Sequence, residues 1–235
     1  MRLSYDQCES EHRQPNIYDV HRNYEDVLGN KAADAVSAII GDLVDMEMFT
    51  SQPTSVASFD QFLDGIVVIS LDALGQDDRT KNMLVAIMLN LFYEHMLRIP
   101  KRPFAGPDGK SLRVVDSVLL VDEADNIMRY EFDVLRKILL QGREFGVGVL
   151  LASQYLRHFK TGGMDYREPL LSWFIHKVPN VTPQELGALG LTGDVVPLAA
   201  RVKSLALHEC LFKTFNVPGD IVRGIPFYKL VGKGN

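Results

Sequence analysis

Hydrophobic and polar positions divide the chain near residue 60. Over residues 24–48, Ala33, Val36, Ile39, Ile40, Leu43 and Val44 recur at spacings of three and four, which predicts a helix. Gly41 interrupts that pattern, and residues 51–58, around Pro53, read as a loop. From Gly65 onward, strand-like and helix-like runs alternate. Residues 66–71 (IVVISL) form a β-branched apolar run suited to a strand buried on both faces. A polar turn over residues 72–80 follows, in which Asp77 or Asp78 is placed to cap the next helix. That helix carries Met83, Leu84, Ile87, Met88, Leu91 and Phe92 on more than one side, so it packs between layers.

Residues 100–113 are a Pro/Gly-rich loop, and residues 118–121 (VLLV) are a second apolar strand. Phe132, Leu135, Ile138 and Leu139 predict the next helix, and Val147–Leu151 the next strand. Residues 173–178 and 205–212 supply two more strands. Strands separated by helices predict an α/β fold with parallel pairing through right-handed crossovers. The expected organisation is a helical appendage or insertion over residues 1–60 and a main α/β domain over residues 61–235.

Composition narrows the partners. A formal charge of −5 argues against a surface coated with nucleic acid, although one basic loop can still grip phosphate. Cys8 and Cys210 are the only cysteines, so there is neither a disulfide framework nor a zinc spacing. The N-terminus opens polar and charged, unlike a secretory signal. The longest apolar helical stretch, residues 83–97, is interrupted by Asn90, Glu94 and His95 and is shorter than the ~20 residues of a membrane span. These features predict a cytoplasmic protein with no membrane partner.

The chemistry concentrates after the strand at residues 118–121. Asp122 and Glu123 stand side by side at its tip, where open α/β sheets bind ligands beyond the carboxyl ends of their strands. Gln154 follows the strand reached after one helical crossover, so its amide is expected at the same sheet edge. Between them, Arg143 lies in the turn that closes the crossover helix. Phosphoryl transfer asks a protein mainly for positioning and for neutralisation of growing charge. Asp122 suits a magnesium shell, Glu123 a water to be oriented and deprotonated, Gln154 a γ-phosphate, and Arg143 a neighbouring subunit's nucleotide. Plainer roles exist for each. An acidic pair also begins solvated loops, and Arg143 also complements the negative end of its helix by ~0.3–1 kcal/mol. Asp125 reads as a local cap or salt-bridge partner, and His208 and Cys210 as packing residues on a strand.

The runs VLLVDEAD and LLQGREFGVGVLLASQ resemble the second half of the HerA/FtsK-type P-loop ATPases. The resemblance extends upstream through DGIVVISLDAL and downstream through SWFIHKVPNVTPQELGALG to IPFYKL, roughly residues 65–230. It implies a RecA-like P-loop NTPase core, with a mainly parallel sheet flanked by helices. By the resemblance, Asp122 is the Walker B residue that holds Mg2+ through water, Glu123 the catalytic base, Gln154 the polar sensor and Arg143 the trans-acting arginine finger. ATP and Mg2+ are the implied cofactors. DNA, other subunits of a restriction or DNA-processing complex, and further copies in a homo-oligomeric ring are the implied partners. Within the family the likeness is to ATPase regions of bacterial restriction systems that act on DNA lacking a phosphorothioate backbone mark.

One family element is missing. No loop of the form GxxxxGK[ST] occurs in the chain. Residues 106–111 (GPDGKS) end in Gly-Lys-Ser, but Phe104 stands where the first glycine is required. That segment also precedes a strand rather than joining a strand to a helix. The expectation is a C-terminal portion of an ATP-driven DNA translocase that binds MgATP poorly by itself. The alternatives are a non-catalytic assembly module of a defence complex and a conjugative DNA-transport ATPase. Two basic stretches are candidate phosphate contacts outside the site proper. One comprises Arg98, Lys101, Arg102, Lys110 and Arg113, the other Arg157, His158 and Lys160.

Overall fold

The computed structural model describes residues 2–29, 31–45, 47, 49–50, 58–72, 78–103, 113–191, 193–215, 217–226 and 229. The segment 106–111, residues 51–57, Asp77, and Phe227, Tyr228 and Leu230 of the closing IPFYKL lie outside them. The chain forms two units, Met1–Arg98 and Ile99–Asn235. No helix of the described residues is long and apolar enough to cross a membrane.

The first unit is helical: α1 (Arg2–Ser10), α2 (Ile17–Leu28), α3 (Ala35–Asp45), α4 (Phe59–Phe62) and α5 (Asp78–Arg98). The single helix expected over residues 24–48 is two helices, and the break falls at Gly29, not at Gly41. Gly29 takes φ 57° at the C-cap of α2, whereas Gly41 continues inside α3. Asp34 then restarts the helix by accepting from the Val36 and Ser37 amides at 3.0 and 2.9 Å. Asn16 and Asp19 form a reciprocal capping box at the start of α2. Asp19 also accepts from the Arg13 guanidinium, at 2.9 Å for one of the two bonds. That guanidinium holds the buried Asp19 carboxyl well below the usual carboxylate range. Leu43 of α3 and Leu84 and Met96 of α5 are fully buried, and Thr80 donates to Asp42 Oδ2 at 2.9 Å.

Residues 66–71 correct the sequence reading. They form no strand, and Ile66 and Val68 are 95% and 84% exposed. A strand is completed by a ladder partner, and no ladder includes this run among the described residues.

In the second unit, β1 (Ser117–Val121) and β2 (Val147–Leu151) pair in parallel, with Val118 opposite Gly148 and Leu120 opposite Leu150. The connection carries α6 (Asp125–Met128) and α7 (Asp133–Gln141), whose Val134, Leu135 and Ile138 are buried. Val121 is buried, but Val118, Leu120 and Leu150 are 54%, 64% and 53% exposed. One face of the parallel pair is therefore packed and the other open. The remaining strands, β3 (Trp173–Ile175), β4 (Glu209–Thr214) and β5 (Val217–Arg223), form an antiparallel sheet in that order. This corrects the expectation of parallel pairing throughout. The excursion through α8 (Pro183–Gly187) and α9 (Val195–Lys203) returns to the end of β3 where it began, so Leu211 pairs with Ile175 and β4 runs back along β3. His208 precedes β4 with φ 67° and is exposed, so it is a turn residue and not a packing residue. Cys210 is buried as expected.

Candidate functional site

The site begins with the register of β1 on β2. Val121 lies opposite Leu151, so Asp122 and Glu123 leave the sheet beside residues 152–154. Two further bonds extend this pairing past the strand ends. The Ala152 amide donates to the Val121 carbonyl at 2.9 Å, and the Ala124 amide donates to the Ala152 carbonyl at 2.7 Å. The two loops carrying Asp122–Glu123 and Gln154 are thus one hydrogen-bonded edge.

Asp122, Glu123 and Gln154 are all exposed at that edge. Asp122 Oδ1 accepts from the Glu123 amide at 3.0 Å, and Glu123 Oε2 accepts from Asn126 Nδ2 at 3.3 Å. Glu123 has φ 46°, a left-handed conformation that a residue with a side chain adopts at a cost of roughly 1–3 kcal/mol. The cost is met where the chain turns sharply from β1 into α6, and Ala124, fully buried behind it, anchors the turn.

Arg143 occupies a different place. It lies in the 3-10 turn Gly142–Phe145 that precedes β2, whereas Gln154 follows β2. The strand between them spans about 13 Å at ~3.3 Å per residue. Arg143 therefore stands toward the opposite end of the sheet from the acidic pair. Its side chain is exposed and makes no hydrogen bond or ion pair with a described residue, while its neighbour Glu144 is held by Lys101 at 2.5 Å. Lys101 and then Arg113 and Arg143 keep the Glu144 carboxyl below its ordinary value. Gly146 ends this turn with φ 74°, and a Cβ there would come within 2.3 Å of Asp116 Oδ2, so only glycine fits. Arg143 and Gln154 both line a groove of about 530 Å³ along β2; Asp122 and Glu123 are not part of its lining.

A second cluster backs the edge. Ser153 Oγ donates to Asp125 Oδ1 at 3.0 Å and lies 3.0 Å from His158 Nδ1, which is itself 3.4 Å from Asp125 Oδ2. Serine, histidine and aspartate in contact suggest a hydrolytic triad, but the geometry excludes a relay. In such a triad one imidazole nitrogen faces the serine and the other the carboxylate; here Nδ1 faces both. Asp125 thus pairs across the fold with Ser153 and His158 and not within its own turn, which corrects the local cap or salt bridge expected from sequence; the part played by Ser153 was not legible there either. The contact joins positions 28 residues apart, and no local spacing announces it.

Behind α6, Tyr166 is buried and its hydroxyl reaches the Met128 carbonyl at 3.5 Å. Burial, then the charges of Glu131 and Asp133, push its phenol up to about 12. Glu131 accepts from the Gly163 amide at 2.7 Å and pins the turn after the second sheet loop. A Cβ on Gly163 would approach Glu131 Oε2 to 2.5 Å.

The basic stretches divide. Lys101 pairs with Glu144, and Arg102 with Asp116 at 2.5 Å, so much of the first is neutralised. In the second, Arg157 lies over the Tyr155 ring at 4.4 Å, His158 is engaged with Ser153 and Asp125, and Lys160 is exposed.

Among the described residues no group of three or more histidine, cysteine, aspartate or glutamate side chains forms a metal cage. Magnesium bound beside a polyphosphate does not require one, because it keeps several waters and takes one or two carboxylates together with phosphate oxygens. The single exposed Asp122 carboxylate fits that donor set. No protein-family model matches the chain, and no curated protein matches it.

Proposed function

We propose that the chain is the portion of a HerA/FtsK-type ATP-driven DNA motor that carries the acidic pair, the polar sensor and the arginine finger. Its core would be RecA-like, and the finer likeness is to the C-terminal ATPase region of the restriction protein DptH/DndH. The observation that supports this reading is the parallel register of β1 on β2. It brings Asp122, Glu123 and Gln154 to one edge and leaves Arg143 at the other.

Each residue has a role that suits its position. MgATP, when bound, supplies the transferable phosphoryl group. Asp122 would hold metal-bound water, Glu123 would orient a water and accept its proton, and Gln154 would donate its amide to a phosphate oxygen. Arg143, about a strand length away and exposed, is suited to a neighbouring subunit's nucleotide rather than its own. Such a finger contributes ~10³–10⁵ in rate where it operates. The grip on the triphosphate must come from a glycine-rich loop on a further segment or partner chain, because these 235 residues contain no GxxxxGK[ST].

The alternative reading is a non-catalytic assembly module that keeps the fold for contacts with partners while nucleotide is bound elsewhere. Two measurements separate the readings. Calorimetry is expected to show MgATP binding at micromolar affinity only when a phosphate-loop segment is joined to this chain. Micromolar binding by the 235 residues alone overturns the division of labour proposed here. In the joined protein, Glu123→Gln is expected to lower turnover by roughly 10²–10⁴-fold; unchanged turnover leaves the assembly module as the surviving reading.

A further inference from the structure

We infer that Asp125, Ser153 and His158 form a clamp of positioning residues that fixes Gln154 against the Asp122–Glu123 turn. This rests on the ATPase reading above. The two loops meet through backbone bonds only as far as residues 124 and 152. Beyond that point the backbone connection ends, and Gln154 would be free to swing on its own loop. Side chains take over at this position. Ser153, directly before Gln154, donates its hydroxyl proton to Asp125 Oδ1 at 3.0 Å, and Asp125 opens the helix that follows Glu123.

The far side of Gln154 is held as well. A 3-10 turn, Leu156–Phe159, is anchored by its buried Leu156 and Phe159 and closed by the His158 amide donating to the Tyr155 carbonyl at 3.2 Å. It turns the His158 ring back onto Ser153, with Nδ1 3.0 Å from Oγ, while the Tyr155 ring meets the imidazole edge-on at 5.2 Å. With Ser153 donating to Asp125, its oxygen is left to accept from Nδ1–H, and the same N–H lies 3.4 Å from Asp125 Oδ2. The cluster is internally satisfied and half-buried. Its position on both sides of one exposed amide makes it a device for orientation. Catalytic geometry tolerates little slack, since a misplacement of about 1 Å can cost 10²-fold in rate.

Hydrogen exchange on the 235-residue chain and turnover in the ATP-hydrolysing assembly test the clamp together. Ser153→Ala is expected to speed exchange of the amides at residues 123–126 and 153–158 roughly tenfold. It should lower kcat roughly 10–100-fold and leave KM for ATP within about twofold, as expected when ground-state binding is retained. Asp125→Asn should do the same, the double variant should lose less than the product of the singles, and Ser153→Thr, which keeps the hydroxyl, should restore both readouts. Unchanged exchange in Ser153→Ala overturns the clamp whatever the activity. Faster exchange with full kcat, where Glu123→Gln has lost turnover, overturns the positioning role and leaves the ATPase reading intact. Full turnover in Glu123→Gln removes that reading, and the catalytic role of the clamp with it.

Discussion

Two apolar runs of nearly the same composition end differently in this molecule. Residues 66–71 (IVVISL) and β1 (Ser117–Val121, SVLLV) are both β-branched or leucine-rich, and both are followed by an aspartate, Asp72 and Asp122. The second run is a strand with a packed face and a functional-looking tip. The first is exposed irregular chain. Local propensity does not separate them, because β propensity measures fit to a pleated, half-buried surface rather than a preference of the isolated backbone. Pairing separates them. β1 has a ladder partner one crossover away, sealed by the bonds at residues 124 and 152, and residues 66–71 have no ladder among the described residues. The lesson extends to the aspartates: a carboxylate becomes a candidate ligand when a sheet fixes where it emerges.

The comparison can be broken most forcefully by placing a charge in each run. Val121→Asp buries a carboxylate at a position only 8% exposed and should destabilise the second unit by at least about 3 kcal/mol. Val68→Asp, at a position open to solvent, should change stability by no more than about 0.5 kcal/mol. Urea titrations followed by circular dichroism measure both. A large loss from Val68→Asp would mean that residues 66–71 are buried in solution and that the two runs are equivalent after all.

A smaller effect is expected where the chain enters β2. Gly146→Ala combines a positive φ with a clash on Asp116 and should cost about 1–3 kcal/mol. If its thermal midpoint matches that of the parent, the turn that presents Arg143 is not fixed as described.

The smallest effects are those of pH, and they differ in sign between the units. In the first unit the Asp19 carboxyl is depressed by Arg13, so its contribution is present above the ordinary aspartate range, ~3.9. That contribution is lost as pH falls through the depressed value. In the second unit the Tyr166 phenol is raised to about 12 by burial, so its contribution is full below ~10 and is lost as pH rises toward 12. Acid should therefore act on the Arg13–Asp19 pair and alkali on the packing behind α6. Asp19→Asn and Tyr166→Phe should each flatten one limb of the stability–pH curve; if each leaves its limb unchanged, the assignment fails.

Much of the second unit was legible in the sequence. The strand at residues 118–121, the crossover helix and the strand Val147–Leu151 follow from hydrophobic period, and from them the adjacency of Asp122, Glu123 and Gln154 follows by topology. The break between α2 and α3 was misplaced because helix-compatible residues flank both glycines. Gly41 tolerates an α-helical backbone, while Gly29 takes the positive φ that ends α2. The antiparallel sheet was hidden because two short helices between strands carry no direction, unlike one long crossover.

The sequence by itself determined which residues are apolar, with what period, and where carboxylate, amide and guanidinium chemistry stands along the chain. Those properties depend on neighbours within a few positions. Tertiary structure alone decided that one of two similar runs is a strand and that Ser153 and His158 close on Asp125. Each of these depends on pairing between distant segments, where backbone hydrogen bonds and excluded volume choose among arrangements that local pattern leaves equal.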